Sequence, residues 1–253
     1  MKKSKSNRVV NIVAPIVAFI CVFGIWEALC HICHVQTWIL PAPSLIFRSM
    51  IVNFGEYWPH ILATAETIAL GFLIAIPVGL LVASLVTNFK LLSDALSPYI
   101  IFLVTTPIIT LVPLLQLALG YGMNVRVITV VIQSFAVVNM NACTGFLNVP
   151  VIRQELMQSL GANRLQAYRY VIFPSAATDI FTGISLAGIF STTACISAEY
   201  IGGNEGLGSR IITYSRFLKS EQSFACIFYV MILGIILYCL VKLAQKLIVR
   251  WSI

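Results

Sequence analysis

The chain has 253 residues, 59% of them hydrophobic and only 10% charged. Soluble domains average about 45–50% apolar and about 25% charged, and a soluble fold of this size has no core large enough to hide the excess. The net charge of +7 does not point to nucleic acid, because Lys and Arg fall in short polar gaps between apolar runs rather than on one stripe or patch.

The chain opens with Lys2, Lys3, Lys5 and Arg8, followed by an apolar run. This imitates a secretory signal, but the run continues to about residue 33 without a small-residue cleavage site, whereas a signal core holds about 7–15 residues. We read it as an uncleaved first span. A membrane helix needs roughly 20 apolar residues, and six segments qualify: 12–33, 61–87, 99–119, 125–147, 176–198 and 224–243. Pro77, Pro107 and Pro113 lie inside these spans and are expected to kink them, since neighbouring helices in a membrane satisfy the freed carbonyls.

At the end of the first span, Cys30-His31-Ile32-Cys33-His34 contains C-x-x-C-H, the pattern of covalent haem attachment. We read it as the structural end of a helix, with neither metal nor haem. The other five of the seven cysteines lie in apolar runs, where a thiol behaves as a small hydrophobe. With the N-terminus inside, eleven Lys and Arg fall in cytoplasmic segments and five in outer ones. The positive-inside rule then places both termini in the cytoplasm. The expected fold is all-α: one polytopic transmembrane helical bundle of six spans over residues 1–253.

The polar residues at depth are neutral. Gln133 and Asn141, eight apart on the fourth span, share a face, and Thr192 and Thr193 lie on the fifth. These four are candidates for a translocation path, although interhelical hydrogen bonding explains each singly. No Lys or Arg is expected deep within a span, so no strong anion site is expected. An ion-coupled secondary transporter or channel is the alternative class, but such proteins keep ionisable groups within their spans.

Between the fourth and fifth spans lies the longest inner polar stretch, 150–174. It reads as two short amphipathic helices. Pro150 suits a first helical position, Gly161 the left-handed residue after a helix, and Asn163 with Gln166 a capping box. Pro174 is expected to stop the second helix. Leu156, Met157, Leu160, Leu165 and Tyr168 lie too far from a span to face lipid and are available to a partner's groove. The chain has no G-x-x-x-x-G-K-[ST] phosphate loop, no nucleophile elbow and no H-E-x-x-H.

The 150–174 loop resembles the signature of ABC-importer permeases, E-A-A, three residues, Gly, nine residues, I-x-L-P. Glu155 stands six residues before Gly161, and Val171, Phe173 and Pro174 take the last places, while Leu156 and Met157 replace both alanines. Further elements are similar to the nitrate/sulfonate/taurine branch of binding-protein-dependent inner-membrane components. They are Trp26-Glu27, Leu40-Pro41-Ala42-Pro43-Ser44, Pro113-Leu114-Leu115 with Gly120-Tyr121-Gly122, and Ala198-Glu199-Tyr200-Ile201-Gly202 with Gly206-Leu207-Gly208. Thr67 departs from the branch, which often has Arg there.

The resemblance implies a permease subunit of a bacterial cytoplasmic membrane, without catalysis or cofactor of its own. It implies pairing of two such chains, an external solute-binding protein, and a separate ATP-binding subunit carrying ATP and Mg. That subunit would be met through a coupling helix comprising Glu155, Leu156, Met157, Leu160, Gly161, Ala162, Leu165 and Tyr168. The implied solute is small: nitrate, a sulfonate, taurine or a vitamin precursor.

Overall fold

The computed structural model describes residues 5–249, with side chains from Val13 onward. Lys2, Lys3 and Arg250, which contribute to the charge bias, lie outside the described residues, as do the side chains of Lys5 and Arg8. The described chain is all helix: α1 (Lys5–Ile32), α2 (Pro43–Val52), α3 (Phe54–Asn88), α4 (Lys90–Thr105), α5 (Ile108–Leu119), α6 (Met123–Leu147), α7 (Val151–Ser159), α8 (Arg164–Ala167), α9 (Phe173–Gly202), α10 (Leu207–Arg216) and α11 (Ser220–Ile248), with a π-helical turn over Tyr168–Ile172. Five helical stretches are long and apolar enough to cross a membrane, and a sixth if α4 and α5 count together. Large apolar side chains face outward along them, Leu117 being 85% and Leu91 82% exposed, as lipid contact requires.

Two compact units make up the chain, residues 1–58 with 210–228 and residues 59–209 with 229–253. In the first, Phe23 of α1 stacks near Phe47 of α2 and Phe228 of α11. Helix α2, which sequence patterning did not reveal, starts with Pro43 in its first turn. Glu27 accepts the Ser44 N–H at 2.9 Å and the Ser44 hydroxyl at 2.7 Å. The Trp-Glu and Leu-Pro-x-Pro elements therefore form one device, a carboxylate at a helix N-terminus, where free N–H groups and the dipole favour negative charge.

In the second unit, α6 packs chiefly against α9 and also meets α4 and α5. Small residues bring these backbones together. A Cβ at Gly79 would stand 2.9 Å from the Val138 side chain, and one at Gly183 2.6 Å from the Asn141 Cβ. Phe72, Val138, Phe146, Ile180 and Ala187 form the core between α3, α6 and α9.

The third expected span, 99–119, is not one kinked helix. It is α4 and α5, bent by 106°. Pro77 and Pro113 sit within continuous helices as expected, but Pro107 does not. Thr106 before it is extended (φ −74°, ψ 122°), the conformation that a following proline favours. The Thr105 and Thr106 hydroxyls donate to the Ile101 and Phe102 carbonyls at 2.9 and 2.8 Å, adding to the Thr106 N–H bond to Phe102 at 3.0 Å in the last turn of α4. The pair traverses the unit and does not double back. Lys90 and Ser93 of α4 share a cavity with Cys143 and Leu147 at one end of α6, whereas Gln116 of α5 shares one with Arg126 at the other. The six spans thus stand, one of them broken.

Candidate functional site

The 150–174 loop folds as two helices joined by a turn. Pro150 is the residue before α7 rather than its first. The Ala162 N–H donates to the Met157 carbonyl at 3.0 Å and the Gly161 N–H to Gln158 at 2.9 Å, a Schellman closure that needs the left-handed φ of +74° at Gly161. Asn163 and Gln166 exchange backbone-to-side-chain hydrogen bonds, both 2.8 Å, as a complete capping box. Pro174 does not stop the second helix. It lies in the first turn of α9, and the π-helical turn over Tyr168–Ile172 absorbs the register shift, so residues 164–202 run as one long helical stretch.

No side chain of α7 or α8 is buried. Glu155, Leu156, Leu160, Gly161 and Leu165 are exposed, and Met157 and Ala162 are half-buried. Tyr168 differs: its ring lies 5.3 Å from that of Phe146 and joins the core. Arg153 ties the loop back by donating to the Ser175 hydroxyl at 3.0 Å. What remains outward is an apolar stripe with one carboxylate, on a module too short to enter a bilayer.

Of the path candidates, Gln133 and Thr193 meet in a cavity of about 330 Å³ at the α4–α5 break. Thr193 also lines an adjoining cavity with Thr192. Asn141 is elsewhere, against Gly183, donating to the Val137 carbonyl at 2.9 Å.

A buried charge cluster went unnoticed in the sequence. Glu199, with no exposed surface, accepts hydrogen bonds from Thr64 Oγ1 at 2.8 Å and from the Gly208 N–H at 2.8 Å, and lies 3.9 Å from Arg126. Thr64 in turn accepts the Leu207 N–H at 2.9 Å, and His60 Nδ1 accepts that of Gly206 at 3.2 Å. A Cβ on Gly206, whose φ is +92°, would land on the Glu199 carboxylate. Ala-Glu-x-x-Gly and Gly-Leu-Gly are thus two halves of one structure. Their paired spacing around a single acid was the available signal. The expectation of no buried cation is overturned by Arg126, 7% exposed at the first turn of α6. Glu199 and Glu205 already face it, at 3.9 and 3.5 Å, so it is neutralised in place.

Six apolar crossings, a broken span lined by hydroxyls, and an amphipathic loop module define a helical membrane transport subunit. Residues 75–250 match the model of the binding-protein-dependent transport system inner membrane component family, and the chain belongs to it. It is 26% identical to the formylaminopyrimidine transport permease protein ThiX of Halalkalibacterium halodurans over 94% of this chain and 95% of that one. It is 24% identical to the taurine transport system permease protein TauC of Escherichia coli, covering 90% and 85%. Its fold is similar to the crystal structure of an amino acid ABC transporter with histidines, at a TM-score of 0.65 and 21% identity over 79% of this chain and 97% of that one. The chain is a permease subunit of an ABC importer, a multi-pass inner-membrane transport component with ATPase and binding-protein partners.

Proposed function

We propose that two copies of this chain form the translocation unit in a bacterial cytoplasmic membrane, with both termini and the 150–174 loop in the cytoplasm. Each copy docks one ATP-binding subunit through Glu155, Leu156, Met157, Leu160 and Leu165. An external binding protein delivers a small solute at the face bearing Glu199. ATP and Mg act on the partner, and this chain does no covalent chemistry. The observation that carries this reading is the capped helix–Gly161–helix module. Among the described residues Leu156, Leu160 and Leu165 stay exposed, which suits insertion into a groove on another protein. ATP-driven movement of that partner would shift the long helical stretch 164–202, which is continuous with the module, and so alternate access to the path. Gln133, Thr192 and Thr193 line that path in this reading, and Asn141 supports it from α6. The solute falls within the range its relatives' names suggest, a sulfonate such as taurine or a pyrimidine vitamin precursor.

The test is directional labelling in a background freed of native cysteines. A cysteine at position 163 should react only from the cytoplasmic side and one at position 56 only from outside. Outer labelling at 163 would remove any ATPase from reach and end this reading.

A further inference from the structure

A cavity of about 500 Å³ lies between the end of α3, the start of α4 and the last turns of α6. Lys90 and Ile101 both line it, so at 1.5 Å per helical residue it runs about 16 Å along α4. Its character changes over that length. At the helix end stand Asn88, Lys90 and Ser93, one turn further in stands Ser97, and beyond it Ile101 of α4 and Met140 of α6. Among the described residues Lys90 is the one charged group in the lining, and no carboxylate lies within ion-pair distance of it. Asp94, a turn along α4, is exposed and lines no part of the cavity. The Ser93 and Ser97 hydroxyls make no hydrogen bond among the described residues, and no side chain caps the N-terminus of α4. At depth the polar groups are occupied, since Asn139 donates to the Gly79 carbonyl at 3.3 Å and accepts the Cys143 thiol at 3.8 Å. The unused donors therefore gather at the polar end, around a cation without a counter-ion. Acceptors stand there too: Thr87 donates to the Ala83 carbonyl at 2.8 Å and Asn88 to that of Ser84 at 2.8 Å, and both keep a side-chain oxygen for accepting.

We propose that this cavity holds an anionic phospholipid, with its phosphodiester at Lys90 and Ser93, its ester at Ser97 and one acyl chain against Ile101 and Met140. Charge complementarity selects the head. A phosphodiester brings one negative charge and acceptor oxygens, which match one ammonium, the free hydroxyls and a helix N-terminus. A choline head brings a cation as well, and the described lining has no carboxylate to receive it. The Thr87 and Asn88 oxygens suit the hydroxyls of a glycerol head, so phosphatidylglycerol fits best. The apolar end selects a lipid over a free phosphate, which would leave that half of the cavity unmatched. Ile101 is 55% and Met140 44% exposed, so this end opens toward the surrounding lipid. The cavity lies at the end of α6 that leads into the 150–174 loop. Its lipid therefore belongs to the leaflet on that side, the cytoplasmic one in the topology proposed above.

The test uses the assembled importer, this chain with its own ATPase and binding protein, delipidated in detergent and read by native mass spectrometry. In detergent the outcome does not depend on which way the chain is inserted, so it stands apart from the topology reading. Phosphatidylglycerol, phosphatidylcholine and inorganic phosphate are added in turn. Phosphatidylglycerol should be retained about fivefold more strongly than phosphatidylcholine, the scale of one lysine beside an anionic lipid. Lys90→Gln should abolish that preference and Lys90→Arg should keep it. Lys246→Gln, which removes an exposed charge from α11, should leave it unchanged. Ile101→Trp, which fills the apolar end, should weaken the retention of both lipids. Equal retention of the two lipids, or a preference that survives Lys90→Gln, overturns the proposal. A preference lost as fully in Lys246→Gln would mean general charge attraction and overturns it too. If inorganic phosphate displaces the lipid and Ile101→Trp changes nothing, the occupant is a free phosphate and the lipid assignment is wrong.

Discussion

Glu199 and Thr64, 135 residues apart in sequence, meet in the interior with the threonine hydroxyl 2.8 and 3.0 Å from the two carboxylate oxygens. Around this pair the ends of α3, α6 and α9 and the loop into α10 are joined. Buried charge is expensive unless paired and hydrogen-bonded. Here the Gly208 N–H, the Cys195 thiol and Arg126 supply further partners, so the cluster ties chain segments together only while every member is present.

Removing the carboxylate should therefore cost more than removing the hydroxyl. Glu199→Ala strips Arg126 of a buried partner and is expected to destabilise by about 3 kcal/mol. Thr64→Val should cost about 1–2 kcal/mol. Thermal unfolding in detergent reads both, and the double variant should fall short of the sum because the two share one interaction. Strict additivity would mean that the hydrogen bond contributes nothing.

Gly206 offers a second probe of the same cluster. Alanine there combines a φ of +92° with a Cβ directed at the Glu199 carboxylate. We expect Gly206→Ala to cost about 2–4 kcal/mol, strain and overpacking together. Gly55→Ala, where a Cβ meets nothing within 4 Å inside helix α3, should be neutral or raise the melting temperature slightly.

The loop module should respond in the opposite way, losing function while keeping its fold. Gly161→Val strains a φ of +74° by roughly 1–2 kcal/mol, but its Cβ enters open space. Glu155→Arg reverses an exposed charge. Both variants should insert and accumulate normally, yet fail to retain the ATPase on co-purification and fail to drive uptake. Full uptake by both would show that the module is not the docking element.

Tyr214 links α10 to the start of α3 by donating to Glu56 at 2.6 Å. Burial, and then the hydrogen bond to Glu56, raise its phenol above the ordinary value of 10.0. A raised folded value means that the neutral phenol is the stabilised form. Its contribution is complete below pH about 10 and declines as pH rises toward the folded value. Tyr214→Phe should cost about 2 kcal/mol near neutrality, the scale of a hydrogen bond to a carboxylate. It should also flatten the loss of stability above pH 10. An unchanged alkaline profile in Tyr214→Phe would assign that loss to other groups.

The number of membrane crossings and the helix–Gly161–helix module were legible in the sequence because each depends on information local in the chain. A run of apolar residues long enough to span a bilayer declares itself by transfer free energy alone. The Asn163–Gln166 cap and the Gly161 turn involve only residues within a few positions of one another. Tertiary structure decided the rest. Pro77 and Pro113 remain within continuous helices while the chain breaks by 106° at Pro107, where Thr106 leaves the helical conformation, a difference that tertiary packing and not the residue type decides. Pro174, read as a helix stop, is carried through by a π-helical turn. Tyr168, read as part of an outward face, turns to Phe146. The depth of Glu199 and Arg126 follows from no local pattern, since charge at a span end is ordinary. Only the approach of Thr64 and the glycines at 206 and 208 removes that end from solvent and makes its hydrogen bonds obligatory.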